Sequence, residues 1–401
     1  MRKNLSLILI IFLAFALTAC NGSKDEKKVI KTISSPGLLQ APKSANSFYK
    51  PPSKLPSNKV GQIIWSTPLT NTPKNVSGWK VLYVMEGVEG DPVAASALIY
   101  VPKTKVKHDI VLWAHSVTGM ADKCAPSRGE FQNDLIPYFD EIISKGHILV
   151  APDYEGLGTP GVHPFLVGDS EAKSLLDAAR MALNFKPANA KNEIVVYGHS
   201  QGGQAALFAG QIFKDYAPEL NVSGVAAIAP VGDLDVVFNK ALEDKSLFGY
   251  LVMGAVAFEN VYSDVDLTKI FSAKVIEDSS VVNKECSDIV LGTYSNQTND
   301  SVIASPSSLE PWPQLFKDNS PGSEKIPVPS LIVQGDKDET VPSSVSKDIT
   351  ENLCAKGSEV KRITYGGQNA SHVGVVFIGQ QDVLSFMEDR FNKRYFASEC
   401  G

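Results

Sequence analysis

Ile194-Val195-Val196-Tyr197-Gly198-His199-Ser200-Gln201-Gly202-Gly203-Gln204-Ala205-Ala206-Leu207-Phe208-Ala209 passes from a β-branched apolar run to an alanine-rich helical one across the pentapeptide Gly198 to Gly202. A strand that turns this sharply into a helix holds the central serine in a strained backbone conformation, so small residues are required two positions to either side. The Ser200 hydroxyl then stands above the end of a sheet. An ordinary capping serine in a glycine-rich turn accounts for neither the strand before nor the helix after.

Short apolar runs recur on both sides of this elbow, at residues 110–114, 148–151, 225–229 and 331–333, each closed by a polar or glycine-containing turn. Helical patterns lie between several of them, at 170–185, 204–213 and 343–354. Strands buried on both faces with helical crossovers predict a mostly parallel central sheet flanked by helices, which with the elbow is the α/β-hydrolase fold. Upstream, residues 79–84 and 94–101 flank Gly90-Asp91-Pro92 and read as a hairpin. Between Pro230 and Pro327 the rhythm stops. That interval, about 231–326, is expected to be a helical cap or lid inserted before the acid-bearing strand. Its apolar stretch 247–258, with Gly249 and Gly254, is too short for a membrane span and reads as a buried helix.

A serine hydroxyl is a weak nucleophile until a base takes its proton, so a histidine and a carboxylate are required. In this fold the chain order is serine, acid, histidine. Histidines stand at 108, 115, 147, 163, 199 and 372, and His372 alone follows Ser200. It lies in the polar loop Gly366-Gly367-Gln368-Asn369-Ala370-Ser371-His372, after a strand-like run. The run 331–334 ends in Gly335-Asp336-Lys337-Asp338-Glu339-Thr340-Val341-Pro342. This resembles the G-x-x-D-x-x-V-P turn of many α/β-hydrolases and selects Asp338 to orient the histidine. The main-chain N–H of Gln201 is the expected first oxyanion donor, and Val117 or Ser116 of the loop His115-Ser116-Val117-Thr118-Gly119 the second. No cofactor or metal is required.

The 401 residues are 43% hydrophobic and 20% charged, with a formal net charge of -6. Ordinary apolar content argues against disorder, and the acidic balance against a nucleic-acid partner. The charge is unevenly placed. Arg2 and Lys3 precede an apolar run that ends in Leu17-Thr18-Ala19-Cys20, the arrangement of an export signal over residues 1–19. The Leu-Thr-Ala-Cys ending resembles a bacterial lipobox, which implies lipidation of Cys20 and a membrane partner through that anchor, the outer membrane or cell surface before the inner membrane. Residues 20–59 hold eight lysines against Asp25 and Glu26 and are rich in Ser and Pro, so they read as a flexible tether. Residues 60–401 then form the hydrolase domain, with 28 basic against 42 acidic side chains. The remaining cysteines, Cys124, Cys286, Cys354 and Cys400, allow two disulfides in three connectivities. Cys124 with Cys286 and Cys354 with Cys400 is the favoured set, pinning the insertion to the core and a late helix to the C-terminal tail.

Two further matches are decoys. Gly156-Leu157-Gly158-Thr159-Pro160-Gly161 fits G-x-G-x-x-G, but Pro160 and Pro164 interrupt the place of a phosphate-binding helix. Ser170-Glu171-Ala172-Lys173 fits S-x-x-K without the companion motifs, and reads as the first turn of a helix capped by Asp169 or Ser170.

Residues 83–102, Cys124-Ala125-Pro126-Ser127, Asp153-Tyr154-Glu155-Gly156, the elbow at Ser200, Ala217-Pro218-Glu219-Leu220 and Leu353-Cys354-Ala355-Lys356-Gly357 together resemble the secretory lipase family, the fungal lipase A-like α/β-hydrolases and their bacterial relatives. The resemblance implies a serine carboxylic-ester hydrolase acting on acylglycerols, with a helical cap holding the acyl chain, and it supports pairing Cys124 with Cys286. No obligate protein partner is expected. An esterase for acylated polysaccharide or small esters and a serine peptidase use the same triad, and a non-catalytic surface-binding lipoprotein is the alternative from another class.

Overall fold

Among the described residues a nine-stranded sheet organises the fold. The computed structural model describes residues 39–129, 136–297 and 299–400. In chain order the strands are β1 (Ile63–Pro68), β2 (Val76–Glu86), β3 (Pro92–Pro102), β4 (His108–Ala114), β5 (Ile148–Pro152), β6 (Ala190–His199), β7 (Val222–Ile228), β8 (Ser330–Gly335) and β9 (Val360–Tyr365). They lie side by side as β1-β2-β3-β5-β4-β6-β7-β8-β9. The first three join antiparallel, β3 pairs antiparallel with β5, and every pairing from β5 to β9 is parallel. The expected hairpin is β2 with β3, turning through Gly90 at φ +84°.

Side-chain alternation along the central strands divides the core into two faces. Ile194 and Val196 of β6, with Val225 and Ala227 of β7, face one apolar layer; Val195, Tyr197, Ala226 and Ile228 face the other. Both layers are closed by helices, which is why these strands are apolar throughout and not alternately polar.

The N-terminal boundary is earlier than the sequence predicted. Residues 39–59 are not tether: the short helix α1 (Ala45–Phe48) delivers Phe48 and Tyr49 into a cluster with Ile64, Trp65, Leu82 and Val84. Phe48 and Tyr49 are each only 2% exposed. The Trp65 indole N–H donates to the Phe48 carbonyl at 3.0 Å, and the Tyr49 hydroxyl shares a 2.7 Å hydrogen bond with Ser127. Arg128 stacks its guanidinium 3.8 Å from the centre of the Tyr49 ring. A few aromatic anchors among lysines and prolines attach a segment whose average composition reads as unstructured. The signal over residues 1–19, Cys20 and the rest of the proposed tether lie outside the described residues.

Helix α2 (Phe139–Ser144) covers the face of Tyr197, while α3 (Gly168–Asn184) and α4 (Gln201–Tyr216) cover the face of Val196. The interval between β7 and β8 is helical, with α5 (Leu234–Glu243), α6 (Phe248–Val261), α7 (Ala273–Asp278), α8 (Ser287–Tyr294) and α9 (Trp312–Asp318). Its interior is aromatic: Phe258 stacks on Trp312 at 5.5 Å, and Phe238 meets Phe316 at 4.7 Å. Helix α6 is apolar and buried along most of its length. Among the described residues no helix is long and apolar enough to cross a membrane. Helix α10 (Ser343–Ala355) follows β8, and α11 (Gly374–Ile378) and α12 (Gln380–Phe391) close the second face.

Both favoured disulfides are present, Cys124–Cys286 and Cys354–Cys400. The first joins the segment after β4 to the start of α8, where Gly119 also bridges to Cys286 and the Ser287 N–H donates to the Thr118 carbonyl at 3.0 Å. The second ties α10 to the C-terminal tail.

Candidate active site

Ser200 sits between the last residue of β6 and the first of α4 at φ +59°, ψ -119°. For a residue with a Cβ this is a strained conformation, and close packing enforces it. A Cβ on Gly198 would lie 2.1 Å from the Gly202 carbonyl oxygen, and one on Gly202 would lie 1.9 Å from that of Ala114. The backbone of the elbow is thus jammed against itself and against the end of β4. The Ser200 N–H donates to Ile228 at 2.9 Å, and the Ser200 carbonyl accepts from Val231 at 3.1 Å.

The loops after β8 and β9 bring the other two predicted residues to this hydroxyl. His372 Nε2 lies 2.9 Å from Ser200 Oγ, and His372 Nδ1 lies 2.8 Å from Asp338 Oδ2. A carboxylate accepts, so Nδ1 carries the proton and Nε2 offers its lone pair to the serine. Asp338 accepts four hydrogen bonds among the described residues. Oδ1 takes the N–H groups of Thr340 and Val341 at 3.0 and 2.8 Å, and Oδ2 takes Gln334 Nε2 at 2.9 Å besides the histidine. Its side chain is fully buried. Asp336, the neighbouring carboxylate on the turn, is exposed and makes none of these bonds. Glu339 instead accepts from the His372 N–H at 3.4 Å.

The loop from His115 to Gly119 lies beside the elbow, through Gly202 and through side chains. His199 donates from Nε2 to the His372 carbonyl at 2.9 Å, which leaves its Nδ1 to accept the Ser116 hydroxyl at 2.6 Å. Burial, reinforced by the nearby His372, pushes the His199 imidazole down to about 3, so it stays neutral. The residue set aside by chain order therefore links the loop of Ser116 and Val117 to the loop of His372. A cavity of about 370 Å³ opens next to it, with Trp113, Val117, Val376 and Phe377 among its apolar walls and Ser116 and His199 at its polar side.

A second group of residues lies behind Gln201. Its carboxamide nitrogen donates to Glu171 Oε1 at 2.7 Å and to His163 Nε2 at 3.1 Å. No local motif in the sequence marks His163 or Glu171 as neighbours of the elbow. The decoys resolve as structure. Gly156, Gly158 and Gly161 all have positive φ in a loop that folds back so that His163 Nδ1 donates to the Glu155 carbonyl. Helix α3 begins only at Gly168, with Val167 at its cap position, so neither Asp169 nor Ser170 caps it. Ser170 instead donates to the Glu155 carboxylate, and Asp169 pairs with Lys173 one turn on. Among the described residues no group of three His, Cys, Asp or Glu could hold a metal ion.

Known proteins resemble the chain in sequence and in fold. A secreted triacylglycerol lipase of Malassezia globosa is 24% identical over 386 residues, spanning 88% of this chain and 81% of its own. Among solved structures, Candida antarctica lipase A in its closed state matches with a TM-score of 0.76 at 21% identity, over 88% of this chain and 87% of that one. A rice cell wall degrading esterase from Xanthomonas oryzae matches with a TM-score of 0.69 at 19% identity, over 84% of this chain and 100% of that one. The family profile of the secretory lipases matches residues 131–398, from before α2 to the C-terminal tail. The chain therefore belongs to the secretory lipase family and is an ester hydrolase of the α/β-hydrolase fold.

Proposed function

We propose that the chain hydrolyses carboxylic esters, acylglycerols in particular, through an acyl-enzyme formed on Ser200. The observation that carries this reading is the relay from Ser200 Oγ through His372 to Asp338, at 2.9 and 2.8 Å, on a strained elbow. His372 Nε2 takes the hydroxyl proton as Oγ attacks the ester carbonyl, and the carbonyl π electrons move to oxygen. The main-chain N–H groups of Gln201 and of Val117 or Ser116 receive that oxyanion. His372 then returns the proton to the departing alcohol, the carbonyl re-forms, and water repeats the cycle to release the acid. Asp338 keeps the imidazole in the tautomer that each step uses. The apolar cavity beside the Ser116 loop suits part of an acyl chain. The acylglycerol substrate is argued from relatives that are themselves secreted triacylglycerol lipases.

Export, with anchoring through lipidated Cys20, belongs to the same reading and rests on Leu17-Thr18-Ala19-Cys20 and the basic residues that follow. Ser200→Ala should abolish cleavage of a p-nitrophenyl ester series from acetate to palmitate while the circular dichroism spectrum stays native. Retained cleavage by the pure variant overturns the assignment. A Cys20→Ser chain should lose incorporation of an alkynyl fatty acid and leave the membrane fraction; unchanged labelling would dismiss the anchor.

A further inference from the structure

Gln201 is the residue whose main-chain N–H is read as the first oxyanion donor, and its side chain is held from behind by groups that the relay does not use. Both carboxamide hydrogens are committed, one to Glu171 Oε1 and one to His163 Nε2. His163 can accept there because its other nitrogen donates to the Glu155 carbonyl at 3.0 Å, and because burial, which pushes its imidazole down to about 3, keeps it neutral.

Glu171 Oε1 accepts a second hydrogen bond, from the Leu166 N–H at 3.1 Å. Leu166 is a buried non-glycine residue at φ +62°, a strained conformation that persists only where its surroundings impose it. Its carbonyl accepts from Gln204 Nε2 at 3.2 Å. The strained loop thus grips the first turn of α4 at two residues, Gln201 through Glu171 and Gln204 directly.

The remaining oxygen, Glu171 Oε2, is buried without a hydrogen-bond partner among the described residues. Native cores leave few such groups, and each calls for a reason. Burial pushes this carboxyl up to about 8, so at neutral pH it is mostly the neutral acid. A neutral acceptor can hold a carboxamide without placing a negative charge behind a forming oxyanion.

We propose that Glu171, with His163, is a positioning residue for catalysis: it fixes Gln201 so that the N–H following the nucleophile meets the developing oxyanion. The proposal rests on the reading of Ser200 as nucleophile and of Gln201 as oxyanion donor. It acts in the transition state, so it shows in kcat and not in KM.

The test uses the full-length protein with p-nitrophenyl butyrate, comparing Glu171→Leu, Glu171→Gln and Ser200→Ala. Glu171→Leu should lower kcat roughly ten- to a hundredfold, less than outright loss of a donor, with KM changed by less than about twofold. Affinity for an alkyl boronic acid, which mimics the tetrahedral adduct, should fall in parallel. Glu171→Gln keeps the accepting oxygen and should restore kcat to within about threefold of the parent. If Glu171→Leu does not fold, His163→Phe removes the other acceptor and should show the same fall in kcat. A folded Glu171→Leu or His163→Phe with parental kcat, a Glu171→Gln as slow as Glu171→Leu, or a loss confined to KM overturns the proposal. An active Ser200→Ala instead overturns the nucleophile reading, and this proposal with it.

Discussion

The two halves of the relay are held in place by different physics. Ser200 is fixed by exclusion: with a Cβ at Gly202 only 1.9 Å from a backbone oxygen, the elbow has a single way to pass β4. Asp338 and His372 are fixed by attraction, through four hydrogen bonds to one carboxylate and a carbonyl held by His199. Steric constraint fails abruptly when an atom is added, because packed backbone has nowhere to move. A hydrogen-bonded constraint fails by degrees, one partner at a time. The elbow should therefore break in an all-or-none manner and the loops gradually.

Gly202→Ala probes the first half and should have the largest effect. The overlap with Ala114 must be relieved by moving β4 or α4, so both soluble yield and fluorophosphonate labelling of Ser200 should be lost. A folded, labelled variant with parental kcat would mean that the elbow is not sterically fixed. Asp338→Asn tests the second half at its centre. It keeps the shape but presents an amide where His372 Nδ1–H must donate, and kcat should fall by about three to four orders of magnitude. Fluorescence-monitored melting should show a folded protein, in contrast to Gly202→Ala; rates within tenfold of the parent would remove Asp338 from the relay.

His199→Phe comes next. It retains an aromatic ring and deletes the bonds to Ser116 and to the His372 carbonyl, and at about 1 kcal/mol for these two contacts kcat should drop about five- to tenfold. A drop as large as that of Asp338→Asn would show that His199 does more than hold two loops together. The last prediction concerns pH. The Glu171 carboxyl ordinarily titrates at 4.5 and in the fold titrates at about 8. Between these values the folded chain holds a proton that the unfolded chain has released, so stability falls as pH rises across that window. Glu171→Gln cannot ionise, and its melting temperature should decline less steeply from about pH 5 to about pH 8 than that of the parent. Parallel slopes would mean that Glu171 ionises in the fold as it does in the unfolded chain.

The same contrast explains what could be read without coordinates. Steric constraint is local, so the elbow appears in the sequence as glycines around Ser200 between a β-branched run and an alanine-rich one. Asp338 was legible through its turn and chain order, and His372 because no other histidine follows the serine. Hydrogen-bonded support leaves no such trace. Glu171 and His163 reach Gln201, and Leu166 reaches Gln204, across sequence separations of 30 to 38 in a loop and a helix, and only folding brings them together. Residues 39–59 were misread for a related reason. Their lysines, serines and prolines set the composition, whereas Phe48 and Tyr49 set the structure by burial against Trp65 and Leu82. Assigning Asp169 or Ser170 as the α3 cap failed because the helix starts before either residue, and the Ser170 hydroxyl is drawn to Glu155.

The disulfides give the backbone a topology with consequences for proteolysis. Cys124–Cys286 closes a covalent ring that contains Ser200, and Cys354–Cys400 closes a second ring that contains His372. One cut inside either ring opens it without releasing a fragment. Asp338 lies on the single linear stretch between the rings, where one cut divides the polypeptide into two pieces held only by non-covalent contacts such as the β7–β8 pairing. Under proteolysis, Ser200 and His372 thus sit on loops that survive a nick covalently, and Asp338 sits on the one tie that does not.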